Sequence, residues 1–155
     1  MNKAPFFINA QCEWYYKESK ITRYSMVKLF STILVRDDDN TYHLRSPVED
    51  VLVEVKDVPY MITEMFVTNK RNLSYICFKT NVDFSFILGR KNPLWVEKRD
   101  NSEELIPYVL VKKGLIAKVS RSVYYQLVEL LEVKKINNTL HNGLYSGKEF
   151  FVLDK

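Results

Sequence analysis

The stretch ITRYSMVKLF, residues 21–30, decides the fold because a second segment of the same design follows it much later in the chain. Residues 119–131, VSRSVYYQLVELL, again place an apolar residue, a hydroxyl residue and an arginine before apolar side chains at helical spacing. Each segment predicts a capped amphipathic helix entered through an arginine, and Thr22 and Ser120 are the expected caps. Two such segments predict a duplicated structural unit, and the interface between two units is where concave pockets tend to form.

Runs of apolar, β-branched and aromatic residues on either side of these helices predict strands separated by turn residues. They lie at 42–45, 51–55, 60–67, 75–80, 94–98, 108–111, 115–119 and 150–153. The runs that follow the first helix predict a meandering antiparallel sheet, whereas residues 84–88 are compatible with either a helical turn or an extended segment. We therefore predict an α+β fold of two related units sharing one core, each an antiparallel sheet with a helix, at residues 1–83 and 84–155.

Composition sets broad limits on function. The chain has 155 residues, of which 46% are hydrophobic and 14% aromatic, so it can bury a sizeable core. Its net charge is +4, and the excess of basic residues lies in the second half, without the clustered Lys and Arg typical of a nucleic-acid-binding surface. Cys12 and Cys77 show no metal or redox spacing, and no apolar run has membrane-spanning length, so we expect a cytoplasmic protein without membrane insertion.

Motifs for catalysis or metal binding are absent from the sequence. Gly143, Gly147 and Lys148 superficially resemble a phosphate-binding loop, but the glycines are too close and Glu149 occupies the position of the magnesium-binding hydroxyl. The two histidines have no Cys, Asp or Glu at metal-ligand spacing. The sequence therefore predicts a protein that is not an enzyme and has neither a metal nor a cofactor.

Arg23 and Arg121 are the first candidates for a ligand site, because a guanidinium binds carboxylate or phosphate bidentately and the two occupy matching places in the repeated segments. The alternative is that each pairs with a local acidic side chain or carbonyl. Thr80 and Asn81 are further candidates, either as ligand contacts or as turn formers. Tyr108 could line a cleft between the two units, which both arginines could also face, or it could belong to the apolar core. Lys112-Lys113 is interpreted as a solvated hairpin turn that adds positive charge.

The ordered motifs also resemble a bacterial family, the domain of unknown function 1285 family. The matching segments are Ile21-Thr22-Arg23, Met26-Val27-Lys28-Leu29-Phe30, Ser46-Pro47-Val48-Glu49, Val55-Lys56-Asp57-Val58-Pro59, Thr80-Asn81, Pro107-Tyr108-Val109, and Arg121 with Tyr125, Leu127 and Val128. The resemblance covers roughly residues 14–153 and implies a duplicated α+β core whose second half looks like a pleckstrin-homology barrel. It also implies a nucleotide-like ligand between the halves and a role in signalling.

Two functions remain open at this point. The first is a non-enzymatic sensor or binding module that holds a small anionic, nucleotide-like ligand between its repeats. The second is a protein-interaction adaptor or homodimerisation module without a small-molecule ligand, which would present strand edges and apolar surface to another chain.

Overall fold

The computed structural model describes residues 4–98 and 103–154, and this part of the chain is mostly β with two eight-residue helices. The helices are α1 (Tyr24–Ser31) and α2 (Arg121–Val128). The strands before residue 56 are β1 (Phe6–Ile8), β2 (Trp14–Tyr16), β3 (Ser19–Lys20), β4 (Leu34–Arg36), β5 (Tyr42–Arg45) and β6 (Asp50–Val55). The next six are β7 (Tyr60–Lys70), β8 (Leu73–Thr80), β9 (Ser85–Ile87), β10 (Leu94–Lys98), β11 (Leu105–Lys112) and β12 (Leu115–Val119). The last three are β13 (Glu132–Ile136), β14 (Thr139–Ser146) and β15 (Glu149–Val152).

Two six-stranded sheets have the same topology, which confirms a duplicated β-rich unit. The first sheet has the order β3-β2-β1-β6-β5-β4, and the second has β9-β8-β7-β12-β11-β10. In both, the first and last strands of the unit form a parallel pair at the centre, while all other pairs are antiparallel. Each unit is therefore two antiparallel meanders joined along one parallel seam.

The helices, by contrast, do not occupy equivalent places in the two units. Helix α1 connects the third and fourth strands of the first sheet, whereas α2 follows the last strand of the second sheet and leads to the three-stranded sheet β13-β14-β15. The repeated helix segments in the sequence therefore do not mark the repeat of the sheets. The strands of the first sheet end at Val55 and those of the second begin at Tyr60. The predicted boundary between residues 83 and 84 stays a prediction.

One apolar core contains residues of both sheets and of α2. Trp14, Tyr60 and Phe78 are among its largest buried side chains, and Val123 and Leu127 bring α2 into it. Val123 and Leu127 are four positions apart and so lie on one face of the helix, as the sequence predicts. Among the described residues, no helix is long and apolar enough to cross a membrane.

Two predictions for helix α1 differ from the structure. Thr22 does not cap α1, because the N-cap residue is Arg23 and its side chain forms no capping bond, whereas Ser120 accepts from the Val123 amide as predicted. Met26 and Leu29, which helical spacing places among the apolar residues of an amphipathic α1, are exposed, and the helix packs through Val27 and Phe30.

The predicted single meander is also wrong. Strands β6 and β7 belong to different sheets, because the Lys56–Pro59 segment carries the chain from the first sheet to the second. Residues 134–142, a polar stretch after α2 that shows no strand pattern, contain the end of β13 and the first half of β14.

Candidate functional site

Thr80 lies at the end of β8 and supports a turn. Its side chain is buried, and its hydroxyl oxygen accepts hydrogen bonds from the Val82 amide at 3.3 Å and the Phe84 amide at 3.2 Å. Both bonds are local, so the hydroxyl is occupied by its own turn, in agreement with the turn-forming alternative.

Asn81 connects three segments of the chain. Its Oδ1 accepts from the Met61 amide at 3.1 Å, and its Nδ2 donates to the Cys12 carbonyl at 3.3 Å. The Asn81 amide also donates to the Met61 carbonyl at 2.8 Å. Because Met61 belongs to the second sheet and Cys12 to a turn of the first, Asn81 holds the two units together.

Tyr108 is fully buried and takes part in a polar cluster between the sheets. Its hydroxyl donates to the Asp57 carboxylate at 3.2 Å, and Lys118 Nζ lies 3.8 Å from the same carboxylate and donates to the Ala10 carbonyl. Cys12 lies in the same region, where its thiol donates to the Val58 carbonyl. Burial raises the pKa of Cys12 to about 12, so its thiol stays protonated at neutral pH.

The two candidate arginines are exposed. Arg23 precedes α1 and Arg121 opens α2, and among the described residues neither side chain has a hydrogen bond or ion pair. Within the described part of the chain, neither guanidinium is neutralised by a local carboxylate or carbonyl. The cleft described next has other lining residues, so the structure does not bring these arginines into it.

A cleft runs along the junction between the two units, and we call it the seam cleft. One wall comes from the end of α1 and from β4, and the other comes from the 82–84 loop and the β11–β12 hairpin. It has two adjacent lobes of about 420 Å³ and about 170 Å³, and Thr32 and Lys112 line both. The larger lobe alone is in the range of known ligand pockets.

The larger lobe is cationic. Its lining side chains include Arg36, Arg45, Lys112, Lys113 and Asp37. Arg45 is neutralised, because its Nη1 and Nη2 each donate to one oxygen of Asp37 at 2.9 Å, and this pairing holds the pKa of Asp37 below its ordinary value. The charges of Arg36, Lys112 and Lys113 have no carboxylate partner among the described residues.

Arg36 is held in place by contacts with both units. Its Nη1 donates to the Gly114 carbonyl at 3.1 Å, and its guanidinium carbon lies 5.3 Å from the centre of the Tyr42 ring. Its Nε is buried and has no hydrogen-bond partner in the described part of the chain. A buried donor without a partner is costly, and Trp14 Nε1 in the core is in the same condition.

The smaller lobe is apolar and aromatic. Tyr60, Val82, Phe84 and Val111 line it, with Lys28 and Asp83 at its margin. Lys112 Nζ lies 5.8 Å from the centre of the Phe84 ring, so this lysine belongs to both lobes. The arrangement can receive an amphipathic anion whose flat apolar part contacts the aromatic lobe and whose charge faces the cations.

Sequence reasoning missed Arg36 and undervalued Lys112 and Lys113. The lysines lie at a hairpin turn and are exposed, as predicted, and the same turn contacts the first unit through the Gly114 carbonyl, which accepts from Arg36. Adjacent lysines on a hairpin give no signal of a site by themselves. Only the packing of the β11–β12 hairpin near β4 brings them close to Arg36.

Two repeated six-stranded sheets around a shared core, with a cationic cleft at their junction, define a duplicated β-rich protein. Models of the N-terminal and C-terminal domains of DUF1285, a protein family of unknown function, match residues 2–58 and 59–153. The chain belongs to the DUF1285 family, which confirms the resemblance found in the sequence. The two matches meet between the last strand of the first sheet and the first strand of the second.

Two crystal structures are similar over most of their length. A DUF1285 family protein from Silicibacter pomeroyi DSS-3 is 32% identical, with a TM-score of 0.87, over 97% of this chain and 80% of that one. A DUF1285 family protein from Shewanella baltica OS155 is 27% identical, with a TM-score of 0.62, over 81% of this chain and 91% of that one. No curated protein matches the chain.

Proposed function

We propose that this protein is a non-enzymatic binding module that holds a small, nucleotide-like anion in the seam cleft. The observation that carries the proposal is the convergence of Arg36 from the first unit with Lys112 and Lys113 from the second, beside an aromatic lobe. A phosphate group would meet charge-assisted donors, and a base would contact Phe84 and Tyr60.

Such a ligand would act as a link between the units. Because the cations come from both sides of the junction, an anion bound between them reduces their mutual repulsion and stabilises the packing of the two units. A protein with this property can report the concentration of its ligand without any chemical step. This is consistent with the signalling role that the family resemblance implies and with a location in the cytoplasm.

Arg23 and Arg121 remain candidates for a separate anion site. Both are exposed and without partners among the described residues, so their charges are available. Thr80, Asn81 and Tyr108 are better explained as structural, since their polar atoms already bind other parts of the chain. The experiment below therefore compares the seam cleft with the two arginines.

The test is a titration of the full chain with nucleoside mono-, di- and triphosphates and with inorganic phosphate, followed by calorimetry and thermal melting. We expect at least one nucleotide to raise the melting temperature in a concentration-dependent way. Lys113→Glu should weaken its binding by at least about tenfold, because a charge-assisted contact becomes a repulsion. Arg36→Gln should weaken it similarly.

Matched controls separate the cleft from general charge effects. Lys70→Glu makes the same charge change at the end of β7, outside the seam cleft, and should leave affinity within about twofold apart from the long-range effect of net charge. If Arg23→Ala or Arg121→Ala abolishes binding while Lys113→Glu does not, the site lies at the helix starts and the seam-cleft proposal is wrong. Absence of binding by every nucleotide and by phosphate would also overturn it.

A further inference from the structure

Four of the five residues of the edge strand β13 are exposed, and within the described residues this strand pairs only with β14. In an edge strand, alternate backbone N–H and C=O groups point away from the sheet and can pair with another strand. The sequence of β13, Glu-Val-Lys-Lys-Ile, contains neither proline nor glycine, and its pairing with β14 is regular from Glu132 to Ile136. The pairing of β13 is therefore free of bulges, and within the described residues its other backbone edge has no partner strand.

One face of the β13-β14-β15 sheet packs into the core, and apolar side chains on the same face extend beyond the core. Leu144 and Phe151 pair across β14 and β15 and are buried on this face. Leu140 lies on the same face of β14, and Val133 shares it through its partner Asn142. Yet Val133 is 63% exposed and Leu140 is 67% exposed. An apolar surface that continues a core face without cover is suited to another protein surface.

We propose that β13 pairs antiparallel with β13 of a second copy of this chain, about a twofold axis at Val133, and so joins two three-stranded sheets into one of six strands. In an antiparallel pair, residues directly opposite each other lie on the same face of the sheet. A twofold axis perpendicular to the sheet also keeps each residue and its symmetry copy on the same face. The axis can therefore lie only at a residue that is opposite its own copy. This limits the registers to a few, which differ in the residue at the axis.

Overlap and charge together select one register, because an axis at Ile136, the last residue of β13, would place most of each strand opposite residues beyond the end of the other strand. Axes at Glu132, Lys134 or Lys135 would place that charged side chain directly opposite its own copy, which is destabilising. The axis at Val133 instead places Val133 against Val133 of the second copy and Glu132 against Lys134 of the second copy. Symmetry repeats the Glu–Lys pair, so two opposite-charge pairs flank an apolar centre.

The lysines of β13 have an alternative explanation, since lysine often protects edge strands from pairing. Lys134 lies over the rings of Tyr145 and Phe150, 5.6 Å and 5.3 Å from their centres, and is held on the outer face of the sheet. In that position it can face Glu132 of a second copy on the same outer face. Lys134 therefore protects the edge from pairing with unrelated strands, whereas Glu132 of a second copy of this chain supplies the opposite charge that Lys134 can pair with.

The test is the molar mass of the full chain in solution, measured by light scattering across a concentration series. We expect a dimer for the native chain. Glu132→Lys should weaken dimerisation by about tenfold, because both Glu–Lys pairs become repulsive. Lys134→Glu should have the same effect, and the double variant Glu132→Lys with Lys134→Glu should dimerise again.

Mixing the two single variants gives the sharpest readout. One chain then carries two lysines and the other two glutamates at these positions, so every cross-strand pair becomes favourable and a heterodimer should form. Restored dimerisation also shows that both variants are folded. A native chain that stays monomeric at all concentrations, or a native dimer that neither single variant weakens, would overturn the proposal. This interface contains none of the seam-cleft residues, so its failure would leave the binding proposal unaffected.

Discussion

Replacing Asn81 by alanine tests whether this residue holds the two units together or instead binds a ligand. The change removes the hydrogen bond to the Met61 amide and the one to the Cys12 carbonyl. A typical hydrogen bond contributes about 1 kcal/mol net, and a buried group left without a partner costs more. We therefore expect the free energy of unfolding to fall by about 2–3 kcal/mol.

The assay is chemical unfolding with urea, supported by thermal melting. For a chain of this size the predicted loss corresponds to a fall in melting temperature of about 4–12 °C. Asn69→Ala is the matched control, because Asn69 accepts a hydrogen bond from Ser74 at an exposed position, and its loss should change stability by less than about 0.5 kcal/mol. Equal effects of the two substitutions would refute the assignment of Asn81 as a connector between the units.

Three further outcomes follow from local geometry. Gly143→Ala should lower stability by about 3 kcal/mol, because the new Cβ would overlap a carbonyl of the neighbouring strand, whereas Gly89→Ala, with no atom within 4 Å of the new Cβ, should be neutral in the same urea titration. Arg45 lowers the pKa of Asp37 below its ordinary value of 3.8, so this pair stabilises the fold above that pH and the contribution is lost as the pH falls through the lower folded value. Melting temperatures should therefore drop in acid more steeply for the native chain than for Arg45→Gln. Iodoacetamide should not alkylate Cys12 in the native protein, because burial raises its pKa to about 12, and rapid native labelling in mass spectra would contradict its buried position.

The sequence predicts individual elements well where a pattern is local. Most strands after residue 42 lie within a few residues of their predicted bounds, and Ser120 caps α2 because its hydroxyl is one turn from the amide it binds. The apolar face of α2 is also predictable, since Val123 and Leu127 recur at helical spacing.

The arrangement of the sheets could not be read from the sequence in the same way. The two parallel pairs, β1 with β6 and β7 with β12, join strands that are far apart in the chain, and no local pattern specifies them. Strand β13 was missed because its residues are nearly all exposed and so show no alternation of apolar and polar side chains.

The candidate site could not be predicted from the sequence either, because its residues show no local pattern. Arg23 and Arg121 stand out because their segments repeat, but the helices they precede occupy different places in the two units. Arg36, Lys112 and Lys113 have no common motif and come together only when the β11–β12 hairpin packs near β4. A site made by packing between units leaves little signal in a single sequence.

Nuclear magnetic resonance titration of the full chain with a nucleoside triphosphate tests the proposed function most directly. Saturable shifts should centre on the backbone amides of Arg36, Lys112, Lys113 and Phe84, and Lys113→Glu should remove most of them. Saturable shifts confined to the region of Arg23 or Arg121, or no saturable shift with any nucleotide, would contradict the account of the seam cleft.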